Sequence, residues 1–294
     1  MLLENFQLKT IDTGEVKIRL RYGGEGPPLL LLHGHPQTHV MWHRIAPLLA
    51  NDFTVVMPDL RGYGDSSKPE TTSDHSPYSK RVMARDQIAV MKELGFDEFA
   101  VAGHDRGARC AYRLALDFPE AVTRLAVLDI IPTGEAFRRT NKDFATEFWG
   151  WFFMAQPYDL PERMIWENPD NFYFRGDRSI FHPEALAEYM RCIYQPGTIH
   201  AMCEDYRAGA SIDYELDEAD RGNRKIDCPV LALWGAQGEL PKWYDVLSIW
   251  HDWADDVKGR GIDCGHFLAE EAPEETYEEL YRFFKSGNEK TRTM

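Results

Sequence analysis

Gly103-His104-Asp105-Arg106-Gly107 is the stretch on which the reading of this chain turns. It has the form of a nucleophile elbow, a sharp strand-to-helix turn whose glycines let neighbouring backbone close around a strained central residue. Residues 98–102 before it read as a short buried strand. Arg106–Asp117 after it reads as a helix, with Ala111, Leu114 and Ala115 at helical spacing. At the centre, where enzymes that cleave esters and amides carry serine, stands a carboxylate. A serine alkoxide attacks an acyl carbon, whereas a carboxylate is a weak acyl nucleophile that can displace a leaving group from a saturated carbon. The product is an alkyl ester of Asp105, which water must then cleave. Alone, a Gly-x-Asp-x-Gly string also fits an ordinary strand-turn-helix with a capping Asp, so the partners have to come from elsewhere in the chain.

Working outward, Pro28–Leu32 is an apolar strand ending in His33-Gly34-His35-Pro36, a place that can supply a main-chain amide to a developing oxyanion. Residues 53–57 form a second apolar strand, closed by Pro58-Asp59-Leu60-Arg61-Gly62-Tyr63-Gly64-Asp65-Ser66. Asp129 ends another strand at 125–128. Gly265-His266-Phe267 follows a segment that reads as irregular and precedes a helical stretch over 273–284. Nucleophile, acid and histidine in that chain order are those of the α/β-hydrolase fold, a mostly parallel sheet flanked by helices. Glu239, after the strand ending in Trp234-Gly235, competes with Asp129 for the place of the acid. A hairpin region spans 6–22 with its turn at Asp12-Thr13-Gly14, and 79–94 reads as an amphipathic helix presenting Val82, Ile88, Met91 and Leu94 to the core. Strand-helix alternation stops around Pro132-Thr133-Gly134 and resumes at Pro229. The expected division is therefore an α/β core of residues 1–132 and 223–294 with an inserted, aromatic-rich helical cap, 133–222, over the site. The charged tail after Ser286 is expected to fray.

At 294 residues, with 44% apolar and 13% aromatic side chains, the chain can bury one sizeable core beneath such an insertion. No run approaches the ~20 consecutive apolar residues of a membrane span, and the N-terminus lacks the basic-then-apolar pattern of a signal peptide. The five cysteines are odd in number and scattered without metal-ligand spacing. A reduced, cytoplasmic setting is expected, and neither a metal nor a cofactor is implied. Cys264, close to His266, reads as buried filler. A net charge of -15 disfavours nucleic acid and anionic membranes, and an anionic substrate would need a local cationic pocket. Arg106 and Arg109 are close enough on one helix to face a single carboxylate, although Arg109 alone could equally pair with surface acids. Most of the aromatic run around Trp149 and Trp151 reads as packing, with a chemical role only for the indole N–H of Trp151. Tyr206 by itself reads as a buried tyrosine, and His33 and His104 as structural.

The elbow with its two arginines, His33-Gly34-His35-Pro36-Gln37-Thr38-His39, Pro58-Asp59-Leu60-Arg61-Gly62-Tyr63-Gly64, Trp151-Phe152-Phe153-Met154-Ala155-Gln156-Pro157 and Cys203-Glu204-Asp205-Tyr206-Arg207-Ala208-Gly209 together resemble the haloacetate dehalogenases, specifically the fluoroacetate dehalogenase group, over nearly the whole chain. The resemblance implies Asp105 as nucleophile, His266 as the base that activates water and Asp129 as its orienting acid. It implies Arg106 and Arg109 as ligands of the substrate carboxylate, the main-chain amides of His35 and Arg106 as an oxyanion hole, and Trp151 and Tyr206 as two of three halide donors. A small anionic haloacid substrate and a homodimer follow from the same likeness. Two positions depart from the pattern: Gly150 stands where histidine is the third halide donor, and His35 where phenylalanine is usual. Losing a donor to a charged group costs about 1.5 to 3 kcal/mol, roughly ten- to hundredfold in rate, unless a water, Trp149 or His200 takes its place. The same scaffold also serves epoxide hydrolases, which need paired cap tyrosines (Tyr158, Tyr194 and Tyr206 are candidates here), and noncatalytic ligand-binding proteins.

Overall fold

The strands that sequence patterning picks out most clearly lie at the middle of one sheet. The structure, a computed structural model, describes residues 2–291, with side chains to residue 286. Eight strands follow the chain as β1 (Gln7–Asp12), β2 (Lys17–Gly23), β3 (Pro28–Leu32), β4 (Thr54–Pro58), β5 (Phe99–His104), β6 (Val122–Leu128), β7 (Val230–Gly235) and β8 (Val257–Ile262). Their order across the sheet is β1-β2-β4-β3-β5-β6-β7-β8. Only the pairs made by β2, with β1 and with β4, are antiparallel. Leu29 to Leu32, Leu125 to Leu128 and Val230 to Leu233 are all buried, as parallel strands covered on both faces must be, and such strands read as unbroken apolar runs.

The segment before His266, expected to be irregular, is β8. It is the edge strand, and exposed Lys258 and Arg260 interrupt its apolar pattern, which suits an edge that must not recruit further strands. The expected helix over 79–94 is Lys80–Glu93, but its buried face is rotated from the one its apolar residues suggest. Met83, Ala84, Gln87, Val90 and Met91 are buried together with Lys80 and Asp86, while Val82, Ile88 and Leu94 are only half-buried. The charged members are tolerated inside because they are paired: Arg61 donates to both oxygens of Asp86 at 2.6 Å, and Lys80 bonds Asp205.

Every element between β6 and β7 is helical, from Thr133–Arg138 to Ile212–Asp220. Asp217 ties both ends of this insertion to the core. Its carboxylate accepts from the amide of Gly134 at 2.8 Å, from the hydroxyl of Tyr112 at 2.7 Å and from Arg113 at 2.7 Å. Among the described residues no helix is long and apolar enough to cross a membrane. The tail expected to fray after Ser286 instead continues the last helix, Pro273–Thr291, to its end, while residues 292–294 lie outside the described residues.

Candidate active site

Asp105 sits between β5 and the helix Arg106–Asp117 with φ +45° and ψ −118°, a left-handed backbone that is strained for any residue other than glycine. The neighbours hold that strain. The Asp105 amide donates to the Leu128 carbonyl at 3.1 Å, and its own carbonyl accepts from the Arg109 amide at 3.0 Å. The elbow glycines are sterically required: a Cβ on Gly107 would lie 2.3 Å from the His33 carbonyl oxygen, and one on Gly103 2.5 Å from the Gly107 carbonyl carbon.

The Asp105 side chain is buried, yet it is an anion. Burial pushes its pKa up, but the nearby His266 and the guanidinium groups of Arg109 and Arg106 outweigh that and hold it at about 2. Oδ2 accepts the main-chain N–H of His35 at 3.0 Å, whereas Oδ1 has no hydrogen bond among the described residues. The amide of Arg106, first of its helix, has no acceptor within the helix.

His266 lies in the loop after β8. Its Nδ1 donates to Asp129 Oδ2 at 2.5 Å, while Asp129 Oδ1 accepts the Gly235 amide at 2.8 Å. Burial alone would lower the imidazole pKa, but the hydrogen bond and charge of Asp129, helped by Asp105 and Glu271, raise it above the ordinary value. The side chain is 38% exposed, so water reaches it. Glu239, the rival for the acid's place, bonds Lys242 at 2.6 Å instead.

Two residues with unanticipated contacts fix the loop. Glu271 accepts the amides of Gly265 and Phe267, each at 2.8 Å, one on either side of His266. His104 Nε2 donates to the His266 carbonyl at 2.7 Å, and burial lowers the His104 imidazole to about 4, which keeps it neutral. Cys264 is buried and its thiol is pushed up to about 12, consistent with filler.

The structure separates the two arginines expected to act together. Arg106 bonds Asp205 through Nε at 3.0 Å and Nη2 at 2.6 Å, and Asp205 also receives Lys80 and the Tyr63 hydroxyl at 2.7 Å. Its side chain is a strut between the core helix and the insertion helix Thr198–Ala210. Arg109 instead lines the cavity. Its Nη1 donates to the Ile131 carbonyl at 3.2 Å and Thr133 Oγ1 at 3.0 Å, its Nε has no partner, and among the described residues no acid pairs with it. Burial and the nearby Arg106 press its pKa down, so an incoming anion is electrostatically favoured there.

Asp105, Arg109, Asp129 and His266 from the core line one cavity of about 270 Å³ with Trp151 and Tyr206 from the insertion; His35 and Gly150 also border it. That lies at the lower end of the ~300–1,000 Å³ of sites for drug-sized ligands, a size that suits a small molecule. The indole of Trp151 packs 4.6 Å from the Arg109 guanidinium, and Tyr206 lies edge-on to His35 with centroids 5.1 Å apart. Two of the tyrosines considered for epoxide chemistry are elsewhere: Tyr158 is 71% and Tyr194 49% exposed. Tyr158 and His200 border a separate, more open groove of about 790 Å³ that contains none of the reacting groups, so His200 cannot replace a donor at Gly150. Tyr173, which no sequence signal marked, lines the catalytic cavity instead.

The profile of the alpha/beta hydrolase fold matches residues 27–273. The chain belongs to the alpha/beta hydrolase family. A fluoroacetate dehalogenase from Burkholderia sp is 43% identical to this hydrolase over 293 residues, covering 97% of this chain and 96% of that protein. A soluble epoxide hydrolase from Corynebacterium sp. (strain C12) is 35% identical over 286 residues, covering 90% and 93%. The crystal structure of ALR0039 from Nostoc sp PCC 7120 matches the hydrolase with a TM-score of 0.93 at 57% identity, covering 95% of this chain and 98% of that one.

Proposed function

We propose that this hydrolase removes halide from short 2-haloacids such as fluoroacetate and chloroacetate, giving glycolate through an ester of Asp105. The observation that carries this reading is an ionised carboxylate on a strained elbow, in a small cavity with a buried cation, Arg109, that forms no ion pair among the described residues. The cation fixes the substrate carboxylate, so the halogen-bearing carbon meets Oδ1 at a reproducible angle. Oδ1 supplies the electron pair of the new C–O bond while the C–halogen pair leaves with the halide toward Trp151 and Tyr206, inverting the carbon.

In the second step His266, its tautomer set by Asp129, takes a proton from water, which adds to the ester carbonyl of Asp105. The carbonyl oxygen is the one already bonded to the His35 amide, so the donor stands where negative charge develops and needs no rearrangement. The 43% identity to a fluoroacetate dehalogenase supports this substrate class. One turnover in heavy-oxygen water tests it: the label is expected in Asp105, and label arriving directly in glycolate during that turnover overturns it.

A second reading has its own support. Tyr173 and Tyr206 both border the cavity, which is the tyrosine pair an epoxide hydrolase needs, and the Corynebacterium relative carries that activity in its name. Arg109 is out of place for an uncharged epoxide. Halide release from chloroacetate set beside diol formation from styrene oxide separates the two.

A further inference from the structure

We propose that Arg175, at the rim of the catalytic cavity, draws an anionic substrate in toward Arg109; this rests on the reading of the substrate as a small carboxylate given above. The chain carries a net charge of -15, so at long range it repels an anion. Arg109 answers that repulsion only from inside the cavity, where it is buried. Arg175 borders the same cavity but is exposed to solvent, which places it at the opening.

The chain on either side of Arg175 is tied down, while its own charge is left unpaired. Phe174 before it is buried, edge-on to Phe181 at 5.5 Å and stacked on Tyr189 at 6.3 Å. Arg178 after it donates to the carbonyls of Phe174 at 2.8 Å and Asp170 at 3.1 Å. The nearest acid along the chain, Asp177, accepts the Ser179 amide at 2.8 Å. The Arg175 guanidinium forms no ion pair among the described residues and lies over the Trp149 ring, 5.1 Å from its centroid. Trp149 also lines the cavity and packs edge-on against Phe172 at 5.7 Å, so the cation rests on a fixed aromatic platform that leaves its charge uncancelled. One unpaired cation at the rim and another inside the same cavity give the way in a field of one sign, which the low-dielectric walls focus.

The test is ionic strength, because salt screens an exposed charge far more than a buried contact. For Arg175→Gln, kcat/KM for chloroacetate is expected to fall roughly three- to tenfold below the parent at about 10 mM salt, with the loss in KM rather than kcat. At about 0.5 M salt, where the screening length is roughly 4 Å, the two enzymes are expected to agree within about twofold. Arg175→Lys is expected to keep the parent's salt response, and Arg175→Glu to lose more at low salt than the glutamine variant. A loss of the same size at both salt concentrations, or none, overturns the assignment and leaves the dehalogenase reading standing. A parent enzyme that releases no halide from any haloacetate removes both.

Discussion

The two walls of the cavity are built on different terms. On the sheet side Asp105, Asp129 and His266 are each hydrogen-bonded to the protein, so their orientations are set before any substrate arrives. On the helical side the hydroxyl of Tyr173 has no acceptor and position 150 has no side chain at all. The core therefore orients its three polar groups before any ligand arrives, and on the dehalogenase reading the choice of leaving group falls to the insertion.

That contrast can be broken most severely at the nucleophile. Asp105→Asn should lower halide release by several orders of magnitude, up to roughly a millionfold, the scale found when a covalent nucleophile is removed. His266→Gln should leave the first step and slow the second by about 10² to 10⁴, so halide appears as a single burst and mass spectrometry finds the substrate's carbon skeleton on Asp105. The arginines offer a sharper comparison. Arg109→Gln should raise KM for chloroacetate by roughly ten- to hundredfold with little change in melting temperature. Arg106→Gln leaves Asp205 short of its main partner and should cost about 3 to 5 kcal/mol of stability, read as a lower melting temperature.

The pH profile follows from His266, which acts only when neutral. Because its pKa lies above the ordinary 6.5, ester hydrolysis should rise with pH through a midpoint above that value. Asp129→Asn removes the leading interaction that raises it, so the midpoint should move to lower pH while the plateau falls. The smallest effect belongs to the helical wall: Gly150→His in the parent enzyme should raise the fluoroacetate to chloroacetate rate ratio by roughly two- to tenfold.

The arrangement on the sheet side was legible because it is written locally. Gly103 and Gly107 are dictated by the turn around Asp105, and the apolar runs of β3, β6 and β7 are dictated by burial on both faces. What stayed hidden depends on distant partners. Arg106 and Arg109 look equivalent in sequence, and only Asp205, 99 positions away from Arg106, distinguishes them. The rotated face of Lys80–Glu93 has the same origin, since Lys80 and Asp86 are buried by ion pairs that an apolar pattern cannot register. Tyr173 carries no motif, and only the fold brings it to the cavity wall. Glu271 reads as an ordinary acid at a helix start until its two bonds around His266 are seen.

Asp205 and Asp217 rivet the helical roof to core cations at Arg106, Lys80 and Arg113. Transplanting a roof from another member of the family would strand those cations in a dry interior unless the donor segment brought both carboxylates with it. Whole-block recombination is thus penalised by electrostatics at its foundations, and single substitutions within the roof are the gentler route to altered specificity.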